Sequence, residues 1–581
     1  MCPSRRTLLV IVLFPAVFLA LAVSSYTQKS ATWDEPQHVT AGCSALSKGD
    51  YRVDPEHPPL LRVWGALPQI FAGTLTFPEN GPDEFPANYW VHVQQYKYAH
   101  DFLYVNNDAG SLVNSARFMN CLLGVGLGLL LYSWLRELNG PATATLGLML
   151  YVIEPTIAAH SSLATTDAGV ACFMFGSLYF LWRTCRCLTV WNALALCLFA
   201  GSAIASKFTA VLLFPVLFAL LFARALDRNP WPRSTAVSRS RSAKALAATT
   251  LMAAILVTSW AMVWMSYGCE YNPGSRPEWL FRFDVAPEVV RRAPTLAQLV
   301  SWADLHGLLP NAYVQGALLA FAKSTSHATY LAGEISTTGW WYYFPVAFLL
   351  KTPVAVIALF VVGAVYSVTR RSGPNEGAAF LVAPPVLYVV CASAANLNIG
   401  VRHILPAYPH IVAVAAIGAS VLWTRGAMAR VLVVTLYVAN VLEFGMVYPH
   451  SLTFFNALVG GPSNGHRYLV DSNLDWGQDL EPLHRWMVDN EVHQIALAYF
   501  GTANPAYHGI RHVRLPSGPG FALGDVPPLR LPGYVAVSET VLAGPYLDDN
   551  GRAFYRPFRD IEPHAVIGNS IRVYWMPRPW W

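Results

Sequence analysis

The sequence predicts an α-helical polytopic membrane protein with about eleven transmembrane helices and a small C-terminal α/β domain outside the cytoplasm. Three observations predict this. Hydrophobic residues make up 54% of the 581 and charged residues only 13%, whereas soluble domains carry about 25% charged residues. Apolar runs near the roughly 20 residues needed to cross a bilayer recur up to about residue 448. From 449 onward they stop, and short strand-like and helical patterns replace them. The 19 tryptophans suit interfacial belts, where an amphipathic ring sits at headgroup level.

The apolar runs lie near 7–24, 114–135, 141–158, 167–184, 189–205, 207–223, 246–267, 345–368, 377–395, 404–424 and 430–448. The first follows a short basic leader, and Ala22-Val23-Ser24 has the look of a signal cleavage site. The run is long for a signal, so a retained helix is expected. The runs 189–205 and 207–223 are separated by almost nothing.

Basic residues orient the array, because cytoplasmic loops carry an excess of Lys and Arg. With the N-terminus cytoplasmic, Arg136, Arg183, Arg186, the Arg224 to Lys244 loop with Arg228, Arg233, Arg239 and Arg241, then Arg370 with Arg371 and Arg425 with Arg430, all fall inside. Residues 25–113, 268–344 and 449–581 then lie in the periplasm or lumen. The expected location is a bacterial inner or plasma membrane.

The first outer loop is too long for a connector. In it, Pro58-Pro59 opens a short helix, with an apolar face of Leu60, Leu61, Val63, Trp64 and Leu67 lying on the membrane surface. The second ends in the aromatic anchor Trp340 to Phe344. There, Lys351-Thr352-Pro353 allows two readings. Thr352 caps a helix starting at Pro353, which leaves 341–350 interfacial and Lys351 near lipid phosphates. Alternatively the helix is unbroken and a deeper Lys351 must face protein or water. In the tail, strands are expected over 466–472, 494–501, 534–539 and 565–574, a helix over 477–490 and a long loop over 518–532. Strand, helix, strand implies parallel pairing. Of the nine cysteines, Cys43 and Cys269 fall in outer loops and can pair, although buried or free thiols are the expectation.

Candidate chemistry gathers on the outer side. Asp34-Glu35-Pro36 follows the first span, and such a pair alone is usually a solvated turn. Asp167 sits at the outer end of the fourth run, where an aspartate is also a good helix N-cap. Arg402, in Asn398 to Pro406 at the outer start of a span, suits bidentate phosphate binding, although arginines at helix ends also snorkel to headgroups. His403, Lys351 and Lys207 are further phosphate-binding candidates. Glu56, His57 and His38 are acceptor-binding or possible divalent-metal residues, at a spacing that matches no fixed metal signature. No other cofactor and no nucleic acid is expected. Glu443 lies inside the last run and has no evident partner. Asp471-Ser472-Asn473-Leu474-Asp475-Trp476-Gly477-Gln478-Asp479 lacks the glycine and glutamate of a calcium loop; a strand-to-helix turn capped by Asp475 is expected.

Sugar donors outside the cytoplasm are usually carried on polyprenyl phosphates. Transfer from one needs a base for the acceptor hydroxyl and cations for the leaving phosphate. The motifs resemble polyprenyl-phosphate-sugar-dependent glycosyltransferases of the GT-C superfold, in the branch of protein O-mannosyltransferases and lipid A aminoarabinose transferases. The matches are Asp34-Glu35, His57-Pro58-Pro59-Leu60, Thr166-Asp167 and Arg402 to Pro406. The resemblance spans roughly 7–450. It implies inversion at the anomeric carbon, with Asp34 as base or acceptor-positioning group and Glu35 and Asp167 in support. It also implies a lipid, glycan or protein acceptor, with membrane lipid around the chain. His57 stands where relatives often have lysine, and 268–344 is too short for the β-trefoil of the eukaryotic mannosyltransferases. Two other readings compete: a transporter or lipid flippase, which would place its ionisable groups near the bilayer midplane, and an assembly protein that presents the tail.

Overall fold

The structure, a computed structural model, describes residues 5–73, 75–78, 94–232, 237–238, 240–276, 279–282, 289, 291–369, 377–518 and 532–578. Arg233, Arg239, Arg370 and Arg371, and all but the ends of the 518–532 loop, lie outside the described residues. Helices stand at every expected span. Among the described residues seven are long and apolar enough to cross a membrane. Two bent helix pairs meet the same length and composition when each is taken together: Pro141–Val152 with Pro155–Ser161, bent by 66°, and Tyr343–Lys351 with Val354–Thr369, bent by 115°. The shorter apolar helices Val190–Ile204 and Phe380–Ser393 fill the remaining positions. By length and composition this is a multi-pass membrane protein.

Each break has a local cause. Pro155 and Pro353 lack the N–H that would continue a helix. At the first break the Glu154 carboxylate accepts the Ile157 N–H at 2.6 Å and starts the chain afresh. At the second, the helix stops at Lys351 and restarts at Val354. The interfacial piece is therefore present, but Lys351 is buried in protein rather than set among lipid phosphates.

The span Val401–Trp423 is the hub. Of its apolar window 89% is buried, against 28% for Arg241–Ser266 and for Ala427–Val447, whose outer faces are left for lipid. Helix Val354–Thr369 crosses the hub at glycines. A Cβ on Gly363 would lie 2.0 Å from the Val414 carbonyl oxygen, and one on Gly418 would lie 2.1 Å from that of Leu359. Backbones this close are the small-residue packing by which helices associate in lipid. The first helix, Arg5–Tyr26, seats Phe14 and Phe18 against Tyr151, with ring centroids 5.9 and 5.7 Å away.

The first long loop carries Glu35–Lys48, Leu60–Ala72 and Gln94–His100. The second carries Pro294–Leu305, Asn311–Thr325 and the hairpin Thr329–Leu331 with Glu334–Ser336. The tail forms a five-stranded sheet in the order His512–Arg514, Ile495–Ala498, Gly533–Ser538, Ile571–Met576, Ala565–Ile567. Ile495–Ala498 pairs in parallel with both neighbours, and the other pairs are antiparallel. The apolar face of helix Leu480–Asp489 packs Leu480 and Leu483 with Val39, Phe102 and Leu103 of the first loop, so one core spans both. Residues 466–472 are not a strand. They run through the 3₁₀ turns Pro462–Arg467 and Asp471–Asn473, with Asp471 at φ 57°, and their side chains hold neighbouring loops instead of a ladder. The expected strand 565–574 is two strands joined by a tight turn, and His512–Arg514 was not expected. Cys43 is buried, Cys269 is exposed, and both are free.

Candidate active site

Asp34, Asp167, Arg402 and Lys207 come from four separate stretches and meet. Asp34 precedes helix Glu35–Lys48; Asp167 is the first residue of Asp167–Arg186; Lys207 lies in the break after Val190–Ile204. Arg402 sits in the 3₁₀ turn Val401–Ala407 that opens the hub. Its Nη1 lies 2.8 Å from Asp34 Oδ2 and 3.7 Å from Asp167 Oδ2. Lys207 Nζ pairs with the other oxygen of Asp167. Charges thus alternate along the row, carboxylate, guanidinium, carboxylate, ammonium. Asp34 is the open end, with its side chain 24% exposed against 1% for Asp167. Arg402 Nε, Asp167 Oδ2 and His403 Nε2 are buried and have no hydrogen-bond partner among the described residues. These three atoms keep hydrogen-bonding capacity free beside the row.

Glu35 is turned away from this row. Its carboxylate accepts Arg117 Nε at 2.7 Å and Nη2 at 2.6 Å, the Thr32 N–H at 2.8 Å and the Ala164 N–H at 2.7 Å. Burial alone would push its pKa up, but the Arg117 guanidinium and these donors hold it below the usual carboxylate range. Glu35 therefore stays ionised and saturated, tying the Asp34 loop to helix Ala109–Asn139 and to the segment before Asp167. Sequence reasoning missed Arg117, because an arginine in the first turns of an apolar helix has the pattern of a snorkelling residue.

The tail supplies the floor. The Arg402 guanidinium lies over the Trp476 ring, 4.2 Å from its centroid. Asn473 Oδ1 accepts the Val401 N–H at 2.9 Å, and its Nδ2 donates to the Tyr343 hydroxyl at 2.9 Å. Asp471 accepts from the Tyr546 hydroxyl at 2.5 Å; burial raises its pKa, opposed by Tyr546 and by the field of Arg402. Asp475 does not cap the following helix. It is buried and accepts the Thr540 N–H at 2.9 Å. Lys351 donates to the carbonyls of Leu452, at 2.8 Å, and Asn473, at 2.6 Å, so its ammonium braces this floor rather than facing a phosphate. The 471–479 motif was visible in the sequence as a polar cluster; its contact with Arg402 was not.

The remaining candidates lie beside the row. Asp54 lies 2.5 Å from Arg62 and 3.5 Å from His38; burial would raise its pKa, but the Arg62 guanidinium holds it down. Burial drives the His57 pKa well below that of a free imidazole, so that ring is neutral. It lies edge-on to His38, with centroids 5.6 Å apart, while Glu56 pairs with Lys323. Among the described residues no three His, Cys, Asp or Glu side chains converge so as to hold a metal. Glu443 accepts the Ala457 N–H at 3.1 Å. An apolar cavity of about 170 Å³, lined by Leu212, Val216, Pro384, Tyr388 and Pro406 among others, opens beside the turn that carries Arg402.

Residues 109–264 match the family model described as dolichyl-phosphate-mannose-protein mannosyltransferase. The match includes Arg117, Asp167 and Lys207 and leaves out Asp34 and Arg402. No curated protein matches the chain significantly. Among solved structures the chain is similar to ArnT from Cupriavidus metallidurans in the apo state, at 13% identity over 97% of each chain, with a TM-score of 0.46. It is similar to the apo oligosaccharyltransferase of Archaeoglobus fulgidus at 14% identity over 76% of this chain, with a TM-score of 0.44, and spans 55% of that protein's length. The S. cerevisiae Pmt1-Pmt2 protein O-mannosyltransferase complex, bound to the sugar donor, is similar at 14% identity over 58% of this chain and 41% of that one, with a TM-score of 0.33. The family model covers less than half of the chain and, of the motifs singled out in the sequence, includes Thr166-Asp167 alone.

Proposed function

We propose that the protein is a membrane glycosyltransferase. It takes a sugar from a polyprenyl phosphate and passes it, with inversion, to a hydroxyl or phosphate acceptor at the outer membrane surface. The observation that carries this reading is the Asp34–Arg402–Asp167–Lys207 row. Arg402, backed by Trp476, presents N–H groups to the leaving phosphate. Asp167 lies between Arg402 and Lys207 and keeps both cations in place. Asp34, at the exposed end, takes the proton from the acceptor hydroxyl as that oxygen attacks the anomeric carbon. An incoming phosphate shares the guanidinium, which frees Asp34 for the acceptor. The apolar cavity that reaches Pro406, on the same turn as Arg402, gives part of the prenyl chain a place out of water. Any divalent metal would have to take most of its ligands from the substrate's own oxygens. In this reading the residues from 449 on form an extracytoplasmic domain, and the cytoplasmic face carries the basic loops.

A transporter or flippase draws less support, since Asp167 and Arg402 stand at the ends of spans and not at mid-membrane. The test incubates the purified protein with a panel of polyprenyl-phosphate sugars and follows release of the free lipid phosphate. Turnover is expected with at least one donor, and Asp34→Asn should lower it by about 10² or more with membrane insertion unchanged. Equal turnover by the variant would remove Asp34 as the base.

A further inference from the structure

A second cavity lies in the tail, apart from the row. Its volume is about 290 Å³, and its walls include Tyr330, His466, Arg467, Glu539, Arg559 and Arg572. Distant pieces build it: the hairpin of the second outer loop, the turn Pro462–Arg467, the turn Arg556–Arg559 and Arg572 of the strand Ile571–Met576. The walls are pinned together. The Ala332 N–H donates to the Tyr468 carbonyl at 2.9 Å, and the Tyr330 hydroxyl donates to the His466 carbonyl at 3.3 Å.

Three guanidinium groups face one carboxylate. Glu539 is buried and accepts from Arg572 Nε at 2.7 Å, so of the three guanidinium groups it is that of Arg572 that the carboxyl group engages. Arg559 donates to the carbonyls of Leu542, at 2.9 Å, and Ala543, at 3.4 Å. Carbonyls orient a guanidinium without cancelling its charge, and they leave it further N–H groups to give. Arg467 has no hydrogen-bond or ion-pair partner among the described residues. Two uncompensated arginines thus face a concave space close to the roughly 300 Å³ at which small-molecule sites begin. That space fits one sugar ring with a charged substituent.

We propose that this cavity binds a sugar bearing a phosphate or carboxylate group, with Arg467 and Arg559 taking the anion and Glu539 the ring hydroxyls. The site backs onto the floor beneath the row. Thr540, next along the chain from Glu539, binds Asp475 and accepts the Asp471 N–H at 3.0 Å. Treating the sugar as part of the acceptor rests on the transferase reading; the binding itself does not.

The test is equilibrium binding to the full chain in phosphatidylcholine nanodiscs, read by calorimetry, with glucose 1-phosphate, glucuronate and glucose as probes. The two anionic sugars should bind and glucose should not. Arg467→Gln with Arg559→Gln should weaken the anions by about tenfold or more, since charge-assisted bonds are the strong ones. Both side chains are exposed, so the thermal midpoint should hold. Asp34→Asn should leave binding intact, which separates this site from the fate of the transferase reading. Phosphatidylglycerol in the nanodisc distinguishes the sources: competition with the probes means that the anion is lipid-borne, and none means that it is carried on a glycan or free sugar. Equal binding of glucose, or equal binding by wild type and the double variant, would overturn the proposal.

Discussion

Asp34 and Glu35 are adjacent, yet their surroundings assign them opposite work. Every lone-pair direction of Glu35 is filled by donors from Arg117, Thr32 and Ala164, while Asp34 meets one guanidinium and keeps an exposed edge. Removing one member of a buried ion pair strands the other, at a cost of about 3–5 kcal/mol. Glu35→Ala should therefore lower the thermal midpoint far more than Asp34→Asn does. A melting comparison of the two variants checks this, and equal midpoints would contradict it. Trp476 acts on Arg402 through its ring face, an interaction worth about 2 kcal/mol when desolvated. Trp476→Leu should lower kcat/KM by about ten- to thirtyfold, and Trp476→Phe should restore part of the loss. A uniform fall in folded protein for both variants would instead give Trp476 a packing role only.

At the scale of elements, the spans were legible because each is an apolar run of about the right length, and lipid permits few alternatives to a helix. The breaks at Pro155 and Pro353 were only half legible. Pro353 marked one, but whether Lys351 met lipid or protein depended on carbonyls of Leu452 and Asn473, about a hundred residues away. The strand expected over 466–472 failed for the same reason: its polar residues answer to distant partners such as Thr540 and Ile399, and local pattern carries no trace of them. Likewise Asp34, Asp167 and Arg402 were legible as candidates from residue type and predicted side, whereas Arg117 and Trp476 were not. The helix crossing at Gly363 and Gly418 sets a second prediction. Gly363→Leu would drive a side chain into the Val414 carbonyl and should destabilise by about 1–3 kcal/mol, whereas the same change at Gly445, which faces open space, should be nearly silent. Thermal melts of the purified pair decide it. Just past the strand Gly533–Ser538, burial raises Glu539 to about 7, against the pull of Arg572. Its folded pKa exceeds that of an unfolded glutamate, so the folded chain holds the proton more tightly and stability falls as pH rises toward about 7. Glu539→Gln should flatten that slope between about pH 5 and pH 8, measured as the thermal midpoint against pH.

At the scale of the whole molecule, the tail and the membrane bundle share load. Lys29, just past the first span, pairs with the buried Asp479 at 2.5 Å, and Asp479 is held to about 2: burial would raise it, but Lys29 and His450 prevail. Asn473 satisfies the Val401 N–H, and Trp476 lies beneath Arg402. Removing 449–581 should thus leave Lys351 buried without its carbonyls and Arg402 without its support. The truncated chain should lose cooperative melting as well as turnover; a sharp, wild-type-like melt would show the bundle to be self-sufficient. Lys29 and Asp479 stand 450 positions apart, and that distance has a bearing on biosynthesis. Translation delivers the two acidic stretches early and the tryptophan that steadies the arginine late. A ribosome-bound intermediate carries Asp34, Asp167 and Arg402 before Trp476 follows. If the row is catalytic as proposed, turnover should appear only once the segment that carries Trp476 has been made and has packed against Arg402.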